Sequence, residues 1–150
     1  MKKTILALAA AAALWAVPAR ADSSADRARE VLDLERQALD GWRTGNPDPQ
    51  LAISDSQITY FHAVVEGRIE GLPALKELYE RYRGMPLFDS YEIVNPQVQA
   101  AGDVAVLTYQ LAQRNGSVTN YWNATQVYWR KKEGWRIIHT HWSAAKVRQP

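Results

Sequence analysis

Val104-Ala105-Val106-Leu107-Thr108-Tyr109-Gln110-Leu111-Ala112-Gln113 leads to Asn115-Gly116, then to Val118–Arg130, and after Lys131–Gly134 to Trp135–Ala144. This run decides the fold. Apolar and polar residues alternate along it with a period of two, the spacing of a strand with one face in a core and one face outward. Asn115-Gly116 is a hairpin signal, because such a pair adopts the left-handed backbone a tight turn requires. Lys131–Gly134 reads as a charged turn. Upstream, Ser90–Gln99 reads as a further strand, and Pro96 within it predicts a sheet edge or a bulge, since proline gives no amide to a ladder. Ala100–Asp103 joins that strand to the next. The expectation is an antiparallel meander in the second half of the chain.

Toward the N-terminus the pattern changes. Ile58–His62 alternates Ile58, Tyr60 and His62 against Thr59 and Phe61, a strand with two distinct faces. Glu66-Gly67-Arg68 is a turn, and the chain returns through Ile69. A helix starts near Leu72, with Pro73 where a missing amide costs nothing, and Gly84 and Pro86 stop it. Its apolar stripe is Leu72, Leu75, Leu78, Tyr79 and Tyr82. A longer helix is predicted from Asp26 to Trp42, capped by Ser23 or Ser24, with Ala28, Val31, Leu32, Ala38, Leu39 and Trp42 on one stripe. Pro49 opens a short helix running through Ile53. Helices first and a meander after is the α+β order. Helices laid over long curved hairpins predict a cone with an interior, where a ligand would sit.

The first residues predict export. Lys2 and Lys3 precede an uncharged run from Thr4 to Val17, rich in Ala and Leu. That run is about 14 residues, the length of a secretory h-region and short of the ~20 needed to span a bilayer. Ala19-Arg20-Ala21 places small residues where a signal peptidase reads them. Residues 1–21 are therefore expected to be a signal peptide cleaved after Ala21, and residues 22–150 a single domain, periplasmic or secreted. Cleavage removes three cations and no acid, turning the formal +2 of the chain into −1. Nothing in that balance suits nucleic acid or, after cleavage, a membrane surface. With no cysteine, the exported domain relies on its core instead of disulfides.

Several segments together resemble a known family. Glu70-Gly71-Leu72 opens a helix, and Gly102-Asp103 precedes a strand with Ala105 and Tyr109. The chain then ends in Gly134-Trp135-Arg136-Ile137-Ile138-His139-Thr140-His141-Trp142-Ser143. This set resembles the association-domain branch of the nuclear transport factor 2-like superfamily, named from the oligomerising domain of calcium/calmodulin-dependent protein kinase type II. The resemblance covers about residues 26–146. It implies a cone-shaped α+β fold, a pocket between helices and sheet, and homodimers or larger rings. It implies no kinase activity, and the chain has no glycine-rich nucleotide loop and no Asp-Phe-Gly triplet. Where the kinase association domain carries pocket cations, the matching positions here are Leu111, Gln126 and Trp142, with Leu75 on the helix. None is charged, which favours a neutral or aromatic ligand. Arg83 matches a position near the pocket mouth.

The strand period sorts the remaining side chains into two faces. Leu107, Tyr109, Leu111, Trp122, Ala124, Gln126, Ile138, Thr140 and Trp142 share one face, which the resemblance makes the pocket. Thr108, Gln110, Asn123, Thr125, Val127, Ile137, His139 and His141 share the other. Of these, Asn123, Thr125, His139 and His141 are the expected subunit interface, the histidines bonding to Asn123, Thr125 or Gln110. The expected ligand pocket is Tyr109, Leu111, Trp122, Gln126, Thr140 and Trp142, with Leu75 and Arg83. Aromatic walls with one amide and one hydroxyl suit a small, apolar or ring-shaped molecule. Trp135 reads as structural.

Catalytic readings are thinner. His139 and His141 project from one face, but a metal needs a third ligand and the only other imidazole is His62, so neither a metal nor a cofactor is expected. Ser143 lies roughly 6–7 Å along an extended strand from His141, too far for a nucleophile and its base. The superfamily includes ketosteroid isomerases and polyketide cyclases, whose proton transfers need a tuned base. The candidates here are His62 and Glu66, with Tyr60 or Tyr109 as donor to an oxyanion. The remaining acids, Asp55, Glu70, Asp89, Glu92 and Asp103, read as lying at element ends or on exposed faces. An exported ligand-binding or association-type domain is the favoured reading. A His- or carboxylate-based isomerase or cyclase is the alternative.

Overall fold

A computed structural model describes residues 23–146. The expected signal peptide lies outside the described residues. The order is α1 (Ser24–Arg43), α2 (Asp48–Ile53), β1 (Ser54–His62), β2 (Ile69–Glu70), α3 (Leu72–Glu80), β3 (Ser90–Ala101), β4 (Val104–Asn115), β5 (Val118–Lys131) and β6 (Gly134–Ala144). Helices and strands fall where the periodicities place them.

Helix α1 begins in a capping box. The Ser23 hydroxyl accepts from the Asp26 amide at 3.1 Å, and the Asp26 carboxylate accepts from the Ser23 amide at 3.3 Å. Its buried stripe is Val31, Glu35, Ala38, Leu39 and Trp42. Among the described residues, no helix is long and apolar enough to cross a membrane.

The sheet has six strands in the order β2-β1-β6-β5-β4-β3. Strands β3 to β6 form the antiparallel meander, and β1 joins it parallel to β6. Strand β3 is an edge, and its register against β4 slips between Val94 and Gln97, where Asn95 takes a positive φ of 50° beside Pro96. Both consequences read from that proline are present. The β4–β5 hairpin closes through Gly116, at φ 56°.

Helix α1 packs over β3 and β4, and α3 over β1. All lie on one face of the sheet, and the core between is apolar: Val31, Leu39, Leu75, Leu107, Leu111 and Ile137 are among its buried members.

One face assignment needs correction. Ile137 is buried and Ile138 is not, the reverse of a strict alternation. Tyr128 pairs with Ile137 while Val127 pairs with His139, so Ile138 is the extra residue of a β-bulge. A bulge inserts one residue and inverts the alternation on its far side. Beyond it Trp135 and Ile137 face the core, and Thr140 and Trp142 keep their expected side.

Candidate functional site

Between the helices and the sheet lies a cavity of about 310 Å³. The sheet contributes Tyr60 and His62 from β1, Leu111 and Gln113 from β4, Trp122 from β5 and Trp142 from β6. The helical side adds Leu39 and Trp42 from α1, Gln50 from α2, and Leu78 and Tyr79 from α3, with Tyr82 just beyond α3. Phe88 is buried, whereas Val64 and Leu87 are exposed, so the mouth lies between the β1–β2 turn and the segment after α3. That segment is anchored to the end of α1. The Gly84 amide donates to the Gly45 carbonyl at 2.8 Å, and the Leu87 amide to the Trp42 carbonyl at 3.2 Å. Gly45 has φ +73°, and a Cβ there would meet the Met85 amide nitrogen at 2.7 Å, so only glycine permits this approach.

Rings meet edge to face around the cavity. Trp42 and Tyr79 are 4.7 Å apart between centroids, and Tyr60 and Tyr79 5.9 Å. His62 stacks on Tyr60 at 6.0 Å and meets Trp122 at 5.0 Å. Trp122 is fixed by its indole N–H, which donates to Gln113 Oε1 at 2.9 Å. Among the described residues, no charged side chain lines the cavity.

His62 is half-buried, and that burial lowers its pKa, holding the imidazole neutral. The Val64 amide donates to its Nδ1 at 3.1 Å. An accepting Nδ1 carries no proton, so this bond assigns the tautomer with hydrogen on Nε2.

Behind the cavity is a buried polar cluster that the sequence reading did not single out. Glu35 is fully buried on α1. Its carboxylate accepts from the Tyr109 hydroxyl, from Gln126 Nε2 at 3.0 Å and from the Tyr128 hydroxyl at 2.7 Å. Thr140 Oγ1 donates to Gln126 Oε1 at 2.5 Å, which orients the amide. Burial raises the pKa of Glu35, partly offset by the three donors. Burial and the neighbouring carboxylate raise both tyrosines well above their ordinary value. Tyr109 lies edge-on to Trp142 at 5.8 Å, linking the cluster to the cavity wall. The signal was present in the sequence: Glu35 sits four residues from Val31 and from Leu39, on the apolar stripe of α1.

The expected pocket residues therefore divide. Leu111, Trp122 and Trp142 line the cavity. Tyr109, Gln126 and Thr140 share the same face but are consumed by the Glu35 cluster. Leu75 is fully buried in the core and does not reach the cavity. Arg83 points away, paired with Glu80 at 2.6 Å and Asp48 at 2.6 Å on the surface. Of the candidate catalytic groups, Tyr60 and His62 line the cavity, and Glu66 sits exposed in the turn beyond it. Asp55 is not at an exposed end: it is buried and ion-paired to Lys131. Trp135 is buried, its indole donating to Glu30 at 2.8 Å, a structural role.

On the opposite face Asn123 and His141 are exposed, and Thr125 and His139 partly so. The partner of His139 is Thr59, at 2.8 Å from Nδ1, and not a residue of β5. Asn123 bonds Gln110 at 3.2 Å, and Phe61 rests against both histidines at 5.9 and 5.8 Å. His62 faces the cavity on the other side of the sheet, so the three imidazoles do not converge.

Residues 27–146 match the family model of the calcium/calmodulin dependent protein kinase II association domain. The chain belongs to that family. It is thereby also a member of the nuclear transport factor 2-like superfamily. Among solved structures, this association domain is similar to a candidate ketosteroid isomerase from Parabacteroides distasonis, with 35% identity, 77% of this chain and 86% of that chain covered, and TM-score 0.70. It is also similar to a nuclear transport factor 2-like protein of unknown function from Pseudomonas putida KT2440, with 25% identity, 84% and 92% covered, and TM-score 0.73. The S. rosetta kinase II hub shares its fold at 23% identity, 78% and 95% covered, and TM-score 0.65. A comparison with curated proteins finds no match. The α+β fold of the association domain, helices on a mixed and mostly antiparallel six-stranded sheet, is that of these relatives.

Proposed function

We propose that this protein is an exported, self-associating domain that holds a small, neutral, ring-shaped molecule in its aromatic cavity. The observation that carries the reading is the cavity itself. Seven aromatic residues (Trp42, Tyr60, Tyr79, Tyr82, Phe88, Trp122, Trp142) and His62 wall about 310 Å³ with no charged group among them. Ligand sites have this size and character, mostly apolar with a few placed polar groups. The absence of cations from the lining argues against a carboxylate ligand. Export is supported by Lys2, Lys3, the apolar run to Val17 and Ala19-Arg20-Ala21. Self-association is supported by the sheet face that no described helix covers, where Phe61, against His139 and His141, and the paired Val104 and Trp129 are exposed at 37%, 40% and 46%. The names of relatives, a kinase II hub and an association domain, point the same way.

The similarity to a candidate ketosteroid isomerase favours a second reading, proton transfer by a base in the cavity. Among the described residues no carboxylate lines the cavity, and the proton on His62 Nε2 leaves that atom a donor, so binding is the better-supported reading.

Tryptophan fluorescence titrated with 2-acetonaphthone tests the proposal. Saturable quenching with one site per chain is expected, and Leu111→Trp, which fills the cavity, should abolish it. No quenching, or quenching untouched by the filled cavity, would remove the site. Methyl-proton exchange of the same ketone in D2O, faster than in buffer alone, would favour the isomerase reading.

A further inference from the structure

The cavity reading leaves open which chemical feature of a ring-shaped molecule it selects, and the placement of His62 answers that. The Val64 amide occupies Nδ1 at 3.1 Å. Two rings lie against the imidazole, Tyr60 stacked on it at 6.0 Å and Trp122 tilted against it at 5.0 Å. The orientation of the imidazole is therefore set by a backbone bond and two rings before anything binds. Its remaining polar atom, Nε2–H, makes no hydrogen bond to a described residue, and His62 lines the cavity. A donor held in place at an apolar wall needs an acceptor when water is displaced, or its desolvation is uncompensated.

We infer that His62 is a specificity-determining residue whose Nε2–H donates to an acceptor oxygen on a flat, neutral ligand, so that the cavity selects an aryl ketone or comparable carbonyl-bearing ring over the same ring without the oxygen. The inference rests on the cavity being the ligand site. A carboxylate is selected against. It would favour imidazolium, whose Nδ1–H would then face the Val64 amide, donor against donor, and among the described residues no cationic side chain lines the cavity to hold it otherwise. The arrangement also assigns His62 a different task from that of a base, since the lone pair that would take a proton is turned to the backbone.

Three probes of one shape separate the possibilities: 2-acetonaphthone, 2-isopropylnaphthalene, which replaces the carbonyl by an isosteric branched alkyl group, and 2-naphthoate. They are titrated against the full protein and its His62→Phe variant, which keeps a ring beside Tyr60 and Trp122 but removes the donor. The expected result is an about three- to tenfold loss for 2-acetonaphthone in the variant, the size of one net hydrogen bond, with 2-isopropylnaphthalene unchanged and 2-naphthoate weakest on the native protein. Nitrogen-15 NMR of the native protein gives a readout that does not depend on the variant folding: the Nε2 resonance of His62 should move with the ketone and not with the hydrocarbon. Equal losses for ketone and hydrocarbon, or a stationary Nε2 resonance at saturation, would overturn the role of His62 while leaving the cavity as the site. Failure of both neutral probes to bind the native protein would overturn the cavity reading and this inference together.

Discussion

Replacing Glu35 by alanine removes the acceptor for three buried donors at once: the Tyr109 and Tyr128 hydroxyls and the Gln126 amide. A buried polar group left unpaired costs about 1–3 kcal/mol. Part is recovered, because the carboxylate was itself expensive to bury and a water can enter the space. The net expectation is a loss of about 3–4 kcal/mol, or roughly 10–15 °C in Tm for a domain of this length. Glu35→Gln is the control. Its carbonyl still accepts from Tyr109 and Gln126, and its amide can donate to the Tyr128 oxygen, but the Tyr128 hydroxyl proton loses its acceptor, so it should lose about 1–2 kcal/mol, less than alanine. The two differ from wild type in pH dependence too. Burial raises the folded pKa of Glu35 above its ordinary 4.5, so the folded state binds the extra proton in that window. Stability from this group is complete below 4.5 and is lost as pH rises through the folded value, at up to about 1.4 kcal/mol per pH unit. Glu35→Gln should lose that slope. Urea unfolding of the three proteins between pH 4 and 8 measures it. An alanine variant within 1 kcal/mol of native, or a glutamine variant as damaged as alanine, would refute the reasoning.

Four further outcomes are expected. Trp142→Ala should abolish quenching by 2-acetonaphthone while leaving the sedimentation coefficient unchanged, and His141→Ala should weaken self-association with binding intact; the reverse pattern would mean the sheet faces are misassigned. Gly45→Ala, which drives a Cβ to 2.7 Å from the Met85 nitrogen at φ +73°, should displace the segment bearing Leu87 and raise the probe Kd severalfold, read by titration beside thermal melting. Affinity for 2-acetonaphthone should be flat from pH 8 to below 6.5 and fall only in more acid buffer. Burial holds His62 neutral past its ordinary 6.5, no carboxylate lines the cavity, and burial keeps Tyr60 and Tyr79 protonated. Since that depressed pKa makes the unfolded chain the better proton acceptor, stability from His62 should also decline as pH falls below 6.5. Expressed in a Gram-negative host, the protein should appear in periplasmic extract with Asp22 at its N-terminus by intact-mass measurement; a cytoplasmic chain retaining Lys2 and Lys3 would refute export.

The sheet was legible because its determinants are local. Alternation along Val104–Gln113, the Asn115-Gly116 pair and Pro96 each act within a few residues, and each produced the strand, hairpin or bulge it implies. The bulge at Ile138 was not legible, since neither a glycine nor a proline marks it and it arises from pairing β6 with β1 and β5 together. The site was half legible for a similar reason. Period two places Trp122, Trp142 and Leu111 on the correct face, but it cannot distinguish a residue at the cavity from one buried behind it, as Gln126 and Thr140 are, and it says nothing of Leu75, which lies on α3. The resemblance puts Arg83 near the pocket mouth, yet pairing with Glu80 one turn back and with the distant Asp48 on α2 holds it at the surface. Glu35 reads as an ordinary helix carboxylate until its neighbours on the stripe are counted, and its partners Tyr109, Gln126 and Tyr128 are contributed by strands more than seventy residues away.

The most direct measurement is a crystal structure of the protein soaked with 2-acetonaphthone. The expected result is one naphthalene ring in the cavity between Trp122 and Trp142, with its carbonyl oxygen within hydrogen-bond distance of His62 Nε2. An empty cavity at saturating probe, or the probe seated on the outer face beside Phe61, would contradict the assignment of this cavity as the ligand site.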